Sequence, residues 1–449
     1  MKNVKLLVYT VLYLVTLSIV ASSIVIKPHA FDSPGIAITR MVIVFFASVL
    51  LTKYTVYMLL CPWYGMMSAR EDELVSHFVH EYQPLVSVMV PAWNEEVGLL
   101  STLKTLLEST YRHLELVVVN DGSTDGSDSM MRSFLAKYER EMVDVPDHPQ
   151  IIYHYQQNGG KGSALNRAIG LAHGDILLSI DGDCVVHKQA VESFVKVFRD
   201  PRVMAAVGNV RIGNTKTLVG TIQYLEYLFG FYFKKADSLL NTIYIIGGAA
   251  GAFRKEVFEE LGGYDTKNIT EDIELSTRIQ DAGMKIVYVP DALVYTEGAS
   301  SIHGLMKQRL RWKRGRFQTF WQHRNLFFSL RARHNKLLTC IILPLAIFGD
   351  VQLGFELLFI AILYVFSFMS GDFSAFLSGV IVVSLMFAIQ AYDSREEQNS
   401  LYLLLAPIGW LLFYVCTFVE FYALIKGLWM AIRRKEVKWQ RWQRKGVAD

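Results

Sequence analysis

The residues best suited to chemistry are Asp181 and Asp183, which flank Gly182 at the end of the run Gly174 to Cys184, Gly-Asp-Ile-Leu-Leu-Ser-Ile-Asp-Gly-Asp-Cys. Neighbouring carboxylates can share a divalent cation, and hard oxygen ligands of this kind suit Mg²⁺ or Mn²⁺ bridging to a substrate's phosphates. Gly182 is expected to let the backbone turn so that the pair converges. Asp and Gly are also ordinary turn residues, so the triplet taken alone reads first as a plain turn. Its meaning depends on the elements that position it.

Those elements come as strand, loop and helix in succession. Leu85 to Pro91 is a short β-rich run, followed by the loop Ala92-Trp93-Asn94-Glu95-Glu96 and a helical pattern through Leu99, Leu103, Leu106 and Leu107. Leu114 to Val119 then leads through Asn120-Asp121-Gly122-Ser123-Thr124-Asp125-Gly126 into a helix from Ser127 to Lys137. Ile151 to Tyr155 makes a third strand, and Gly159-Gly160-Lys161-Gly162 opens a helix carrying Asn166 and Arg167. Strand Ile176 to Ile180 delivers Asp181 and Asp183. Such repetition predicts an α/β fold, a mainly parallel sheet flanked by helices, in which ligands gather at the carboxyl ends of the strands. At that edge Asp121 is placed to accept a hydrogen bond from a uracil N3–H or a ribose hydroxyl. Lys161 is placed to neutralise a phosphate that the neighbouring glycines let the backbone approach. One Asx-rich turn or one loop lysine would mean little; at consecutive strand ends they point to a nucleotide-sugar site.

Three further segments bear on it. Gly247-Gly248-Ala249-Ala250-Gly251-Ala252-Phe253-Arg254 is a run of small residues, fit equally for close approach to a ligand or for tight packing. Thr270-Glu271-Asp272 places Thr270 as N-cap of a helix Glu271 to Asp281; in a transferase, Asp272 is the natural general base. Ile302 to Phe328, with Gln308-Arg309-Leu310-Arg311-Trp312 inside it, reads as a basic amphipathic helix near a membrane surface.

The 449-residue chain is 52% apolar, and its apolar residues pile up at the two ends. Its formal charge of +3, without a basic stripe of interleaved aromatics, argues against nucleic acid as a partner. Cys61, Cys184, Cys340 and Cys416 lack metal-ligand spacing and read as free thiols. Val4 to Ile26 and Met41 to Cys61 are long enough to cross a bilayer, and Lys2 and Lys5 place the amino terminus inside. The central part is then cytosolic. Apolar runs follow at Leu337 to Phe348, Leu353 to Met369, Phe373 to Ala391 and Leu401 to Met430, giving four short crossings or, if the first two are one broken helix, three. Arg433, Arg434, Lys435, Lys438, Arg441, Arg444 and Lys445 form a basic tail expected on the cytosolic side. The expected parts are therefore 1–70 (two transmembrane helices), 71–300 (cytosolic catalytic domain), 301–335 (interface helices), 336–432 (three or four transmembrane helices) and 433–449 (tail).

In order, Asn120-Asp121-Gly122-Ser123, Asp181-Gly182-Asp183, Thr270-Glu271-Asp272 and Gln308-Arg309-Leu310-Arg311-Trp312 resemble the motifs of processive family 2 glycosyltransferases. These are the membrane synthases of cellulose, chitin, hyaluronan and poly-N-acetylglucosamine. Thr-Glu-Asp-Ile-Glu-Leu-Ser followed by Lys-Gln-Arg-Leu-Arg-Trp looks most like the bacterial poly-β-1,6-N-acetylglucosamine synthases. The resemblance implies a GT-A nucleotide-sugar-binding domain inserted between transmembrane helices of the plasma (inner) membrane. Asp121 would contact the uridine, Asp181 and Asp183 the diphosphate and its Mg²⁺ or Mn²⁺, with Lys161 beside them. Gln308, Arg309 and Arg311 would meet the pyrophosphate. Asp272 would be the base, and Trp312, Glu271 and Gly248 would line the acceptor at a channel mouth. The segment Gly247 to Phe253 departs from some relatives in lacking a cysteine or serine at the acceptor site, and no nucleotide-sensing domain is expected after the last helix. The implied reaction is an inverting displacement on a UDP-sugar, UDP-N-acetylglucosamine above others, with a growing polysaccharide, membrane lipids and an optional small membrane accessory subunit as partners. Two other readings stay open: a non-processive transferase acting on a lipid or short acceptor, and a catalytically silent protein of polysaccharide export.

Overall fold

The computed structural model describes residues 52–76, 82–145, 148–371, 373–393 and 405–433, with isolated positions 10, 11, 14, 18, 45, 49 and 446. Most of the run Val4 to Ile26, most of 41–51 and the tail from 434 to 445 lie outside the described residues. So does the expectation of two amino-terminal crossings.

Eight strands form one sheet: β1 (Val86–Ala92), β2 (Leu114–Asp121), β3 (Gln150–Gln156), β4 (Ile176–Ser179), β5 (Val185–Val186), β6 (Val203–Ile212), β7 (Gly251–Arg254) and β8 (Lys285–Thr296). Their order is β3-β2-β1-β4-β7-β6-β8-β5. The half β3-β2-β1-β4 is parallel, as the sequence suggests. The other half is mixed, because β7 runs antiparallel to both β4 and β6, and β5 antiparallel to β8. The sheet is therefore mixed, with parallel pairing in β3-β2-β1-β4 and in β6-β8 making up most of it, as the sequence suggests.

The central strands read as near-continuous apolar runs because both of their faces are covered. On one face Val86, Val88 and Val90 pack with Leu116, Val118 and Leu178 beneath Leu99, Leu103 and Leu106 of the helix Leu99–Leu107. On the other, Met89, Val117, Val119 and Leu177 meet Ala164, Leu165 and Ala168 of the helix Lys161–Leu171. Each fully buried leucine contributes about 2 kcal/mol by removal from water. This two-sided packing holds the loops at the carboxyl edge of β1, β2 and β4 in fixed register.

A third core, separate from the sheet, joins Tyr232 and Phe233 of the helix Leu218–Leu239 to Phe320, Leu338, Ile342, Val382 and Met386. It seats the apolar helices on the sheet-bearing part of the chain. Leu337 to Phe348 and Leu353 to Met369 form one continuous helix, Leu338–Met369, entered through a π-turn at Leu338–Ile342. At 32 residues it spans about 48 Å, well beyond the hydrocarbon core of a bilayer. Gly349-Asp350, which reads as a break, lies inside this helix. Among the described residues, Leu338–Met369 and Gly409–Ile432 are long and apolar enough to cross a membrane, and Phe355, Leu358, Val365 and Phe368 stand exposed on the first.

Candidate active site

The turn bearing the two carboxylates is clamped from the side. Thr102 Oγ1 donates to the Gly182 carbonyl at 3.0 Å and accepts from the Cys184 amide at 3.1 Å, so one hydroxyl fixes both ends of the Asp183 peptide group. Gly182 does not need a left-handed φ. Its value is room: a Cβ there would lie 3.3 Å from the Pro91 carbonyl and 3.4 Å from Glu95 Cγ. The turn is thereby pressed against the loop after β1, and the expected conformational role gives way to close packing.

The loops after β1 and β2 lock together. Asn94 adopts a left-handed φ of 58°, tolerated by asparagine more readily than by most residues, and its Oδ1 accepts from the amides of Thr124 (2.7 Å) and Asp125 (3.2 Å). Asp121, buried at the end of β2, turns both carboxylate oxygens toward the following loop. Oδ1 accepts from Gln156 Nε2 at 2.8 Å and the Gly159 amide at 2.9 Å, and Oδ2 from the Gly160 amide at 2.8 Å. Gly160, with φ of 87°, redirects the chain into the helix that opens at Lys161. Asp121 thus builds the loop that aims Lys161, a role that the sequence does not announce.

Lys161 Nζ reaches Asp181 Oδ1 at 2.5 Å and Glu271 Oε1 at 3.8 Å. Burial disfavours its charge, but the carboxylates of Asp181, Glu271 and Asp272 outweigh that and hold the ammonium above its usual range. Glu271 and Asp272 occupy the first turn of the helix Glu271–Asp281, where the helix dipole favours negative charge. Thr270 stands at the N-cap position but makes no side-chain capping bond; its hydroxyl turns to Asn268 Oδ1 at 3.3 Å. Asp272 Oδ2 accepts the Gly248 amide at 3.0 Å, and Ser179 Oγ donates to the Gly248 carbonyl at 3.2 Å. Burial pushes Glu271 up to about 7; Lys161 opposes this and Asp272 adds to it. Asp121, Lys161, Asp181, Asp183, Gly248, Glu271 and Asp272 therefore assemble at one edge, as the motif order suggests.

The interface helix, Ile302–Gln322, docks on this cluster through Gly315, whose missing side chain makes room for Thr270, and through Thr319, whose hydroxyl accepts from Asn268 Nδ2 at 3.0 Å. Arg311 is close enough to Glu271 to oppose the rise of its pKa. Gln308 is buried, and its Oε1 has no hydrogen-bond partner among the described residues. Arg309 departs from the expectation of a diphosphate contact. Its guanidinium is only 4% exposed and is held by Glu226 Oε2 at 2.6 Å and Glu420 Oε1 at 3.3 Å, while it stacks on the Trp312 ring 4.2 Å away. Two acids far away in sequence claim its guanidinium.

A divalent ion fits the strand end. Asp181 is partly exposed and its carboxylate is paired with the Lys161 ammonium. Among the described residues no group of three or more His, Cys, Asp or Glu side chains is placed to hold an ion unaided. Mg²⁺ and its like ordinarily use one or two carboxylates plus substrate phosphates, which is the donor set that Asp181 and Asp183 leave to be completed.

The profile of glycosyltransferase like family 2 matches residues 83–315, just over half of the chain and the whole of this edge. The chain belongs to that family. Within it, the chain is 31% identical over 239 residues to the poly-β-1,6-N-acetyl-D-glucosamine synthase of Staphylococcus epidermidis, covering 53% of this chain and 55% of that protein. It is 30% identical over 251 residues to the synthase of the same name from Staphylococcus aureus, covering 55% of this chain and 58% of that one. The chain thus spans little more than half the length of the curated relatives it matches. A mannosyltransferase from Pyrobaculum calidifontis, solved with GDP-Man and Mn²⁺, aligns at 19% identity with a TM-score of 0.52, covering 87% of this chain and 100% of that one. That likeness establishes the GT-A glycosyltransferase fold.

The glycosyltransferase site also contains residues that no motif flagged. Tyr264 is buried; burial and the charges of Glu271 and Asp272 push its pKa up and keep it a neutral phenol. Tyr227 is pushed up to about 12 by burial, opposed by Arg309 and Arg311 and aided by Glu226 and Asp181. Thr102 could be found from sequence only as one polar position on an otherwise apolar helix face.

Proposed function

We propose that this glycosyltransferase is an inverting, processive enzyme of the plasma membrane that polymerises β-linked N-acetylglucosamine from UDP-N-acetylglucosamine and passes the product across the bilayer. The observation that carries the reading is the meeting of Asp181, Lys161, Glu271 and Asp272 around the Gly248 amide. A diphosphate-binding half and a base-bearing half share one small volume there. The synthase names of the staphylococcal relatives supply the sugar and linkage.

In this reading the Gly248 amide orients Asp272, which takes the proton from an acceptor hydroxyl. That oxygen bonds to C1 of the sugar as the bond from C1 to the diphosphate oxygen breaks, and UDP departs with the electron pair. Lys161 and Arg311 offset the charge that gathers on the phosphates. Mg²⁺ or Mn²⁺, held by Asp181 and Asp183, would supply further neutralisation of the leaving diphosphate. Asp121 keeps the glycine loop against the nucleotide, Trp312 underlies the acceptor beside Glu271 and Gly248, and Gln308 offers its unpartnered oxygen to the same channel mouth.

The domain is read as cytosolic, inserted between amino-terminal crossings within 1–70 and apolar helices within 336–432, with lipids against their exposed side chains and a small accessory subunit admitted. The Gly446 amide donates to Glu297 Oε2 at 3.1 Å, which supports a tail on the same side as the catalytic domain. Incubation of the full chain in lipid with labelled UDP-sugars and Mg²⁺ or Mn²⁺ tests the reading. A long N-acetylglucosamine polymer from UDP-N-acetylglucosamine alone supports it. Single-sugar products would favour the non-processive alternative, and donor binding without UDP release the export one.

A further inference from the structure

Arg309, Lys313 and Arg316 recur at i, i+4 and i+7 of the interface helix and so share one face. Opposite them stand three carboxylates from three other helices: Glu226 on Leu218–Leu239, Asp350 on Leu343–Ser370 and Glu420 on Gly409–Ile432. The contacts alternate in sign along the row. Glu226 Oε2 meets Arg309 Nη2 at 2.6 Å, Arg309 Nε meets Glu420 Oε1 at 3.3 Å, and Glu420 Oε2 meets Lys313 Nζ at 2.8 Å. Lys313 Nζ continues to Asp350 Oδ1 at 2.9 Å, and Asp350 closes the row on Arg316. Three cations and three anions thus leave no net formal charge. Trp312 sits on this row, its ring under the Arg309 guanidinium.

Stability does not account for such a row. A buried ion pair rarely outperforms a well-packed apolar pair, and carboxylates on helices of membrane length are costly. What the ladder provides is geometry. Apolar seams between helices tolerate sliding and rotation, whereas a one-turn shift of about 5.4 Å would carry every cation off its acid. We propose that Asp350 and Glu420 are positioning residues: through Lys313, Arg316 and Arg309 they lock the register of the interface helix against the two long apolar helices and so fix Trp312 beneath the growing chain. Polymer length is then governed by charges remote from the diphosphate. This inference rests on the polymerase reading above.

The test uses the full-length protein in lipid, with UDP release and product length measured in parallel for wild type, Glu420→Gln, Lys313→Met and the double variant. Each single change leaves one uncompensated charge in the row. It should shorten the product roughly tenfold, the order of loss expected from displacing a substrate-positioning group, while UDP release at saturating donor stays near wild type. The double variant is neutral again, so its melting temperature, measured alongside, should recover, but no ladder acid of Gly409–Ile432 remains to hold the interface helix, so its product should stay short. A short product with a restored melting temperature separates a register lock from a general loss of fold, and it remains readable even if a single variant fails to assemble. Full-length polymer from Glu420→Gln overturns the ladder alone. So does a loss of length in proportion to UDP release, or a double variant that recovers full product length. Single-sugar products from the wild type would instead refute the polymerase reading, and the ladder's role with it.

Discussion

The Gly248 amide donates to Asp272 Oδ2 at 3.0 Å, and a Cβ at position 248 would lie 3.4 Å from that oxygen and 2.5 Å from Lys161 Nζ. The proposed base and Lys161 therefore approach the same point in space, separated by a residue with no side chain. Gly248→Ala meets only the tip of a flexible side chain, so the fold should tolerate it within about 1 kcal/mol. Lys161, however, must leave Asp181. Donor turnover should fall roughly tenfold or more, as measured by UDP release, with an unchanged melting temperature. Turnover at the wild-type level would show that the site has slack that this arrangement denies.

Asp121→Asn tests the loop clamp. Three N–H groups donate to the two carboxylate oxygens, and an amide in their place turns an NH₂ toward a donor. Loss of these charge-assisted bonds should destabilise the protein by about 2–3 kcal/mol and weaken donor binding together, since Lys161 loses its aim. Calorimetry and UDP titration on the same preparation decide it. Weakened UDP binding with no change in stability would return Asp121 to a purely ligand-contacting role.

Glu271 carries a pH signature. Burial pushes its pKa up to about 7, so the folded state holds the proton more tightly than the unfolded chain does. This contribution to stability is full below the unfolded value near 4.5 and is lost as pH rises through about 7, a change of at most about 3 kcal/mol. Glu271→Gln cannot titrate. The melting temperature of ligand-free wild type, minus that of Glu271→Gln, should fall between pH 4.5 and 7 and then level off; a flat difference contradicts the assignment.

Much of this site could be read from residue order. Asp121, Asp181 and Asp183 are legible because each ends an apolar run long enough to be only a buried strand, and buried parallel strands bring their carboxyl ends together. The four-residue β7 escapes such reading: Gly-Ala-Phe-Arg carries too little pattern to reveal a strand, let alone its antiparallel direction. Arg309 lies beside Arg311 in sequence but points elsewhere, because its partners Glu226 and Glu420 come from helices that only the tertiary fold places nearby. The same applies to Asp350. It lies between two apolar runs that the sequence separates, yet Lys313 and Arg316 neutralise it and the helix continues through it.

Whether Asp272 is the base of a UDP-N-acetylglucosamine polymerase, as proposed, is decided by product formation from Asp272→Asn. The full chain in lipid is given labelled UDP-N-acetylglucosamine, and polymer is measured alongside UDP affinity. Near-isosteric replacement keeps the Gly248 contact within reach through the amide oxygen but removes the proton acceptor. Polymer synthesis should fall by about 10²-fold or more with UDP affinity unchanged. Polymer made at a rate near that of the wild type would remove Asp272 from the role of base.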